Sequence, residues 1–196
     1  MKLKFWLLFL LFISFAAAAA AQDEASLKKP TGGADDIFTD KEKTFSIDLP
    51  QKPFNTKTDA GADKNGKDSG ATQYKWLLRE GIFFVAVTKF NNISFDRKTD
   101  VDAYMADLAA ELKKISKFRI ASQKELKLGD VYGGEIVRAN EAGEKIILRV
   151  FARGQMMYTL TAIVDKEVDD AEALMIAALD SFKFAAALEK VTTKSP

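Results

Sequence analysis

Of the 196 residues none is cysteine, none is histidine and only four are proline. Without cysteine or histidine the chain has no zinc site of the usual kind, no Ser-His-Asp or Cys-His catalytic group, no thiol redox chemistry and no haem held through either residue. The commonest general base near neutral pH is missing as well, so any catalysis would rest on carboxylates, lysine, serine or tyrosine, as in glycosidases. A cysteine-anchored lipid at the amino terminus is excluded too. Net charge is also scarce, with 29 basic side chains against 28 acidic. A nucleic-acid binder needs a basic face to displace counterions, and this balance does not supply one.

What is present begins with an export pattern. Lys2 and Lys4 precede the apolar run Phe5 to Phe15, and an alanine stretch ends at Ala19-Ala20-Ala21 before Gln22. A basic head, a short apolar run and small residues at a cleavage site describe a secretory signal peptide over 1–21, and therefore a periplasmic or secreted protein. The competing expectation keeps the segment uncleaved as a membrane anchor. Residues 22–43, polar and carrying Pro30 and Gly32-Gly33, are expected to form a flexible leader. A single domain is expected over 44–184, and a frayed tail over 185–196.

Within 44–184 the periods are legible. Phe45, Ile47 and Leu49 alternate with Ser46 and Asp48 up to Pro50, the pattern of a half-buried strand near a sheet edge. A short strand follows from Phe54 to Thr58, then a loop from Asp59 to Gly70. Tyr74, Trp76 and Leu78 share one face of the next strand, which turns at Glu80-Gly81 into a run, Ile82 to Val87, apolar on both faces. Such a run is expected to be covered above and below. Helical spacing of Val101, Tyr104, Met105, Leu108, Leu112 and Ile115 predicts a helix over 99–115, capped by Thr99 with Asp102. After a weaker strand over 116–129 come three antiparallel strands, 131–139, 145–153 and 156–164. A second helix, with Asp169 and Glu172 as its capping pair, has little polar surface and is expected to pack deep against the sheet.

Short motifs add little chemistry. Gly61, Gly66 and Lys67 fit a phosphate loop, but Asp68 stands where a hydroxyl should hold magnesium and would repel phosphate. Asp59, Asp63, Asn65 and Asp68 supply oxygen donors for a loose calcium site, although the EF-hand spacing fails at its first and last positions. Ser26-Leu27-Lys28-Lys29 falls in the leader, and Asn92-Ile93-Ser94 is a sequon that matters only in a eukaryotic secretory route. Asp165, Glu167, Asp169 and Asp170 suit a helix N-terminus. No catalytic residue and no cofactor is nominated. By loop position alone, the 59–70 loop and a turn at Val131, Tyr132, Gly133 and Gly134 are the candidate partner contacts.

The early Phe-Ser-Ile-Asp-Leu-Pro strand, the long helix, the meander holding Gly133-Gly134 and the Asp-Ser-Phe-Lys-Phe end resemble the PsbP-like fold, on Phe45, Pro50, Gly134 and Ser181-Phe182 over about 44–184. That fold is shared by the PsbP extrinsic subunit of photosystem II, a small Ran-GTPase-binding protein and many exported bacterial proteins. The resemblance implies an α+β domain: an antiparallel sheet of about six to eight strands with helices on both faces, an α/β/α sandwich. It also implies a non-catalytic binding or accessory module that contacts a protein partner in the cell envelope, and it brings no site residue with it. The alternative is a carboxylate-based exported hydrolase or small-ligand carrier.

Overall fold

Two runs of adjacent hairpins, joined by a helix, build the main sheet. In chain order the elements are β1 (Ile37–Thr39), β2 (Phe45–Asp48), β3 (Asn55–Ala62), β4 (Asp68–Leu78), β5 (Gly81–Lys89), α1 (Lys98–Lys114), β6 (Arg119–Leu128), β7 (Val131–Ala139), β8 (Lys145–Arg153), β9 (Met156–Val164), α2 (Ala171–Asp180) and β10 (Lys183–Phe184). This computed structural model describes residues 37–49, 53–62, 68–114 and 117–185, with only the backbone given at 58–62 and 68–69. The expected signal segment, Pro50, Asp63, Asn65 and all but Ala185 of the expected tail lie outside the described residues.

β3-β4-β5 form one meander and β6-β7-β8-β9 another. α1 carries the chain between them so that β9 pairs with β5, giving a seven-stranded antiparallel sheet of order β3-β4-β5-β9-β8-β7-β6. Short turns make this possible. Gly81 opens β5 at φ 132, where an added Cβ would stand 2.0 Å from the Ile163 carbonyl oxygen, so no other residue fits that approach. A smaller sheet of order β1-β2-β10 packs on the first through aromatic rings: Phe38 meets Tyr74 and Trp76, each at 5.2 Å between centroids, and Phe45 meets Tyr74 at 5.7 Å.

Alternation along the central strands divides the core, because successive side chains leave a strand on opposite faces. Leu148, Val150 and Ala152 of β8 join Ile136 and Met157 in a cluster with Val101, Met105, Leu108 and Leu112 of α1. Ile147 and Phe151 join Phe45, Ile47, Trp76, Phe83, Leu160 and α2's Met175 and Leu179 in the other.

Several expectations need correction. Residues 37–43, assigned to the leader, form β1 and a tight turn, because the buried Asp40 carboxylate accepts the Thr44 and Phe45 amides at 2.6 and 2.9 Å. β2 sits at the centre of the small sheet rather than at a sheet edge, and Phe45, Ile47 and the following Leu49 are fully buried. The expected 59–70 loop is largely hairpin, with pairing extended to Ala62 and Asp68. β5 is covered unequally: Phe83, Val85 and Val87 are buried, whereas Ile82, Phe84 and Ala86 on the other face are half-buried.

The caps are also shifted. α1 begins at Lys98, with the Asp100 carboxylate accepting the Arg97 amide at 3.1 Å, while Asp102 pairs with Lys98. α2 is preceded by Asp170 as its N-cap residue, in left-handed conformation at φ 61 and with no side-chain cap, and Glu172 pairs instead with Lys145. A short strand not foreseen, β10, closes the small sheet after α2, where Ser181 Oγ receives the Asp48 amide at 2.9 Å.

Candidate functional site

Residues singled out from the sequence fall in two places. Asp59 and Asp68 belong to β3 and β4, where Asp59 pairs with Ala71 and Asp68 with Ala62. Among the described residues no group of three or more acidic side chains gathers as a metal site. Val131 to Gly134 do not form a turn: they open β7, immediately after the Gly129-Asp130 turn. Val131, Gly133 and Gly134 are buried and Tyr132 is half-buried. The two glycines make room for neighbours. A Cβ on Gly133 would meet the Val150 carbonyl oxygen at 2.4 Å and Phe151 Cδ1 at 2.5 Å, and one on Gly134 would meet Met105 Cε at 2.6 Å. Packing therefore accounts for that Gly-Gly pair.

The fold gathers ionisable side chains where β6, β7, β8 and the end of α2 meet. Lys124, Glu135 and Arg149 occupy one register row, Glu135 facing Lys124 on one side and Arg149 on the other. Arg149 Nε donates to Glu135 Oε2 at 2.7 Å and its Nη1 to Asp180 Oδ1 at 2.6 Å, while Lys124 Nζ lies 3.0 Å from Glu135. Asp180, at the negative end of α2, is unfavourably placed by itself, and the guanidinium offsets that. Arg138 is a second buried guanidinium, at 5 % exposure. It donates to the Phe118 carbonyl at 3.1 Å and to that of Leu112 at 3.4 Å, satisfying the last turn of α1, and burial pulls its pKa down.

Three tyrosines, Tyr74, Tyr104 and Tyr158, are buried. Burial raises the pKa of Tyr74, and the nearby charges of Asp40 and Glu42 raise it further. Burial alone raises Tyr104, and it dominates at Tyr158, where a contact with Thr44 opposes it in part.

A surface cleft of 450 Å³ is lined by Lys117, Arg119, Ala139, Asn140, Glu141 and Ala142. Its charges are matched locally: Arg119 lies 3.4 Å from Glu141, and Lys117 3.8 Å from Glu144, which itself receives Asn140 Nδ2.

A further surface feature is the rim beyond β4. Ile37 and Phe54 are the large apolar side chains that stand exposed among the described residues, at 48 % and 56 %. Both border β4. Phe54 leads into β3, its amide donating to the Lys75 carbonyl at 2.7 Å, and Ile37 precedes Phe38, which packs on Tyr74 and Trp76. β3 is one edge of the seven-stranded sheet and β6 the other. β6 carries the features that discourage strand addition: Arg119, Lys124, Glu125 and Lys127 along it and a register break between Ile120 and Ser122. β3 is regular over all eight of its residues, with Lys57 and Asp59 as its charges. From sequence, β3 was legible only as the piece Phe54 to Thr58, because the polar run from Asn55 to Ala62 shows no apolar period.

Among the described residues no helix is long and apolar enough to cross a membrane. No family model matches the chain, and no curated protein matches it.

Proposed function

We propose that the chain is an exported, non-catalytic binding or accessory domain that acts by protein–protein contact in the cell envelope, built as a PsbP-like α/β/α sandwich. The observation that carries the contact reading is the rim: exposed Phe54 leading into the regular edge strand β3. Apolar anchors next to an open sheet edge are a recurring means of recognition, in which main-chain hydrogen bonds give affinity and side-chain pockets give specificity. The buried charges support the non-catalytic part, since Glu135, Arg149, Arg138 and Asp40 each bond to a structural neighbour instead of facing a cleft. Support for the sandwich comes from β8, whose Leu148 and Val150 pack with α1 while Ile147 and Phe151 pack with residues of α2. The apolar run and alanine stretch before Gln22 support export, with retention as an anchor as the other outcome.

Crosslinking in the native envelope tests the contact. The protein is expected to capture a defined protein partner, and Phe54→Ser to reduce that capture several-fold without changing the unfolding midpoint. Equal capture by the two forms would reject the rim as the contact surface, and capture of nothing specific would reject the binding function.

A further inference from the structure

We infer that the outer face of α2 is a docking surface for an amphipathic helix of a partner protein, one with an apolar stripe and a Lys or Arg at each end of it. The surface lies apart from Phe54 and goes beyond the contact read there. What carries it is the mismatch between the composition of α2 and its position. Ala171, Met175, Ala178 and Leu179 face the core. On a surface helix the opposite side is polar. Here that side presents exposed Ala173 and half-buried Leu174, Ile176 and Ala177, and only Glu172 and Asp180 carry charge between Ala171 and Asp180. A helix that is apolar all round belongs in a covered position, yet among the described residues α2 is buried on one side alone.

The charges say which partner fits. Asp169 and Asp170 are exposed at the start of the helix, and the Asp170 side chain makes no cap. Asp180, at the other end, binds Arg149 but keeps 62 % of its side chain exposed. Of the cations nearby, Lys145 and Arg149 are taken up by Glu172 and Asp180, Lys166 reaches the Ala142 carbonyl at 3.2 Å, and Lys183 stands beyond the helix on the small sheet. Carboxylates therefore bracket the apolar stripe about 15 Å apart, at 1.5 Å per helical residue. Cations about eleven residues apart on a partner helix match that span and return to one face after about three turns. Ala173 and Ala177 add no bulk, so the two axes approach to about 8 Å. The same acids disfavour other occupants: an antiparallel second copy sets Asp170 of one chain beside Asp180 of the other, and an anionic lipid surface repels both. One helix laid on another makes a small interface, so binding belongs in the micromolar range.

The probe is a fluorescently labelled helical peptide of about 18 residues, with a leucine stripe and an arginine at each end of it, about eleven residues apart. Its controls are the same peptide with glutamate in place of both arginines and a scramble of the first. Anisotropy is followed as the protein, in the form its producing cells process, is raised from about 1 µM to about 1 mM, a span that covers weak association. The arginine peptide is expected to bind within that range, and both controls at least tenfold more weakly. Ala173→Lys puts a cation and a long side chain on the exposed face at a position where a helix accepts lysine well. It is expected to weaken binding at least tenfold at an unchanged unfolding midpoint.

Asp169→Asn/Asp170→Asn gives a second readout, since asparagine suits the left-handed backbone at Asp170. This variant is expected to bind several-fold more weakly and with a flatter salt dependence. Phe54→Ser is expected to bind the peptide as wild type does. No binding up to the top of the range, equal binding of the three peptides, or an Ala173→Lys protein that binds as tightly as wild type would each overturn the inference. So would loss of the peptide in Phe54→Ser, which moves the contact to the rim. A wild-type chain that dimerises in sedimentation equilibrium and loses the dimer with Ala173→Lys would assign the face to a second copy and overturn it too. Each of these failures is separate from the Phe54 contact, which crosslinking in the native envelope tests by itself.

Discussion

Replacing Gly133 by alanine tests whether the Gly133-Gly134 pair serves packing. In the strand ladder Gly133 faces Phe151, and an alanine Cβ would stand 2.4 Å from the Val150 carbonyl oxygen and 2.5 Å from Phe151 Cδ1. Neither neighbour can retreat cheaply. The carbonyl belongs to the β8 backbone between two paired strands, and the Phe151 ring is backed by Phe182, stacked at 5.9 Å and 6°. At Gly134 the obstacle is Met105 Cε at 2.6 Å, the free end of a flexible side chain.

Overpacking into a backbone costs about 1–3 kcal/mol, and the loss of glycine's freedom in the unfolded chain returns about 0.4–1 kcal/mol. Gly133→Ala is therefore expected to destabilise by about 1–2 kcal/mol, a fall in Tm of roughly 3–8 °C, and Gly134→Ala to lie within about 1 kcal/mol of wild type. Urea unfolding followed by fluorescence of Trp76, fully buried at 0 % exposure, measures both. The midpoint should move for Gly133→Ala with the slope unchanged. Equal midpoints for Gly133→Ala and wild type, or a larger loss at Gly134, would refute the packing account. Reduced partner capture by Gly133→Ala at unchanged stability would return this segment to the contact surface.

Two further outcomes follow from the buried polar groups. Arg149→Met leaves Glu135, with 7 % of its side chain exposed, held only by the exposed Lys124, and is expected to cost about 3–5 kcal/mol, whereas Glu135→Leu/Arg149→Met together should return most of it. A double-mutant cycle in urea that found the two changes additive would show that the pair does not act as a unit. Tyr74, Tyr104 and Tyr158 have pKa values raised by burial, so the folded state holds its phenol protons at a pH where the unfolded chain has lost them. Stability should therefore be unaffected by these groups below the unfolded value of about 10 and fall as pH rises above it. Tyrosinate absorbance should develop together with loss of far-ultraviolet circular dichroism, and tyrosinate forming from all three in a chain that keeps its native spectrum would contradict the burial.

Legibility of the chain tracked burial contrast. α1 could be read because it buries a stripe, and β7, β8 and β9 because each is a mostly apolar run bounded by turn residues, signals that lie in the order of residues itself. β10 and β1 could not. β10 is two residues long and β1 three, and each exists because β2 lies beside it. The caps shifted for a similar reason: Asp100 and Asp102 both suit the first turn of a helix, and only the path of the chain from Asp96 decides which reaches the Arg97 amide. Glu172 was readable as half of a capping pair, but Lys145, 27 positions away, takes it.

The candidate site was the least legible part. The sequence directed attention to Gly133-Gly134 as a turn, since glycine pairs mark turns more often than close packing. Phe54 and Ile37 looked like ordinary apolar residues, and exposure of an apolar side chain leaves no local mark in sequence. That β3 is an edge and β5 is not depends on which strand pairs with which, a relation between residues as far apart in the chain as Gly81 and Val164.

The amino-acid order alone determined the exclusions that follow from lacking histidine and cysteine, the α+β class, both helices and most of the strands, because composition and period are local properties. Only the tertiary structure decided that the sheet has seven strands ending in β3 and β6, that a second small sheet holds Phe45 in the core, and that Gly133-Gly134 is packed while Phe54 is exposed. Pairing and burial are set by contacts distant in the chain, and no window of sequence contains both partners of such a contact.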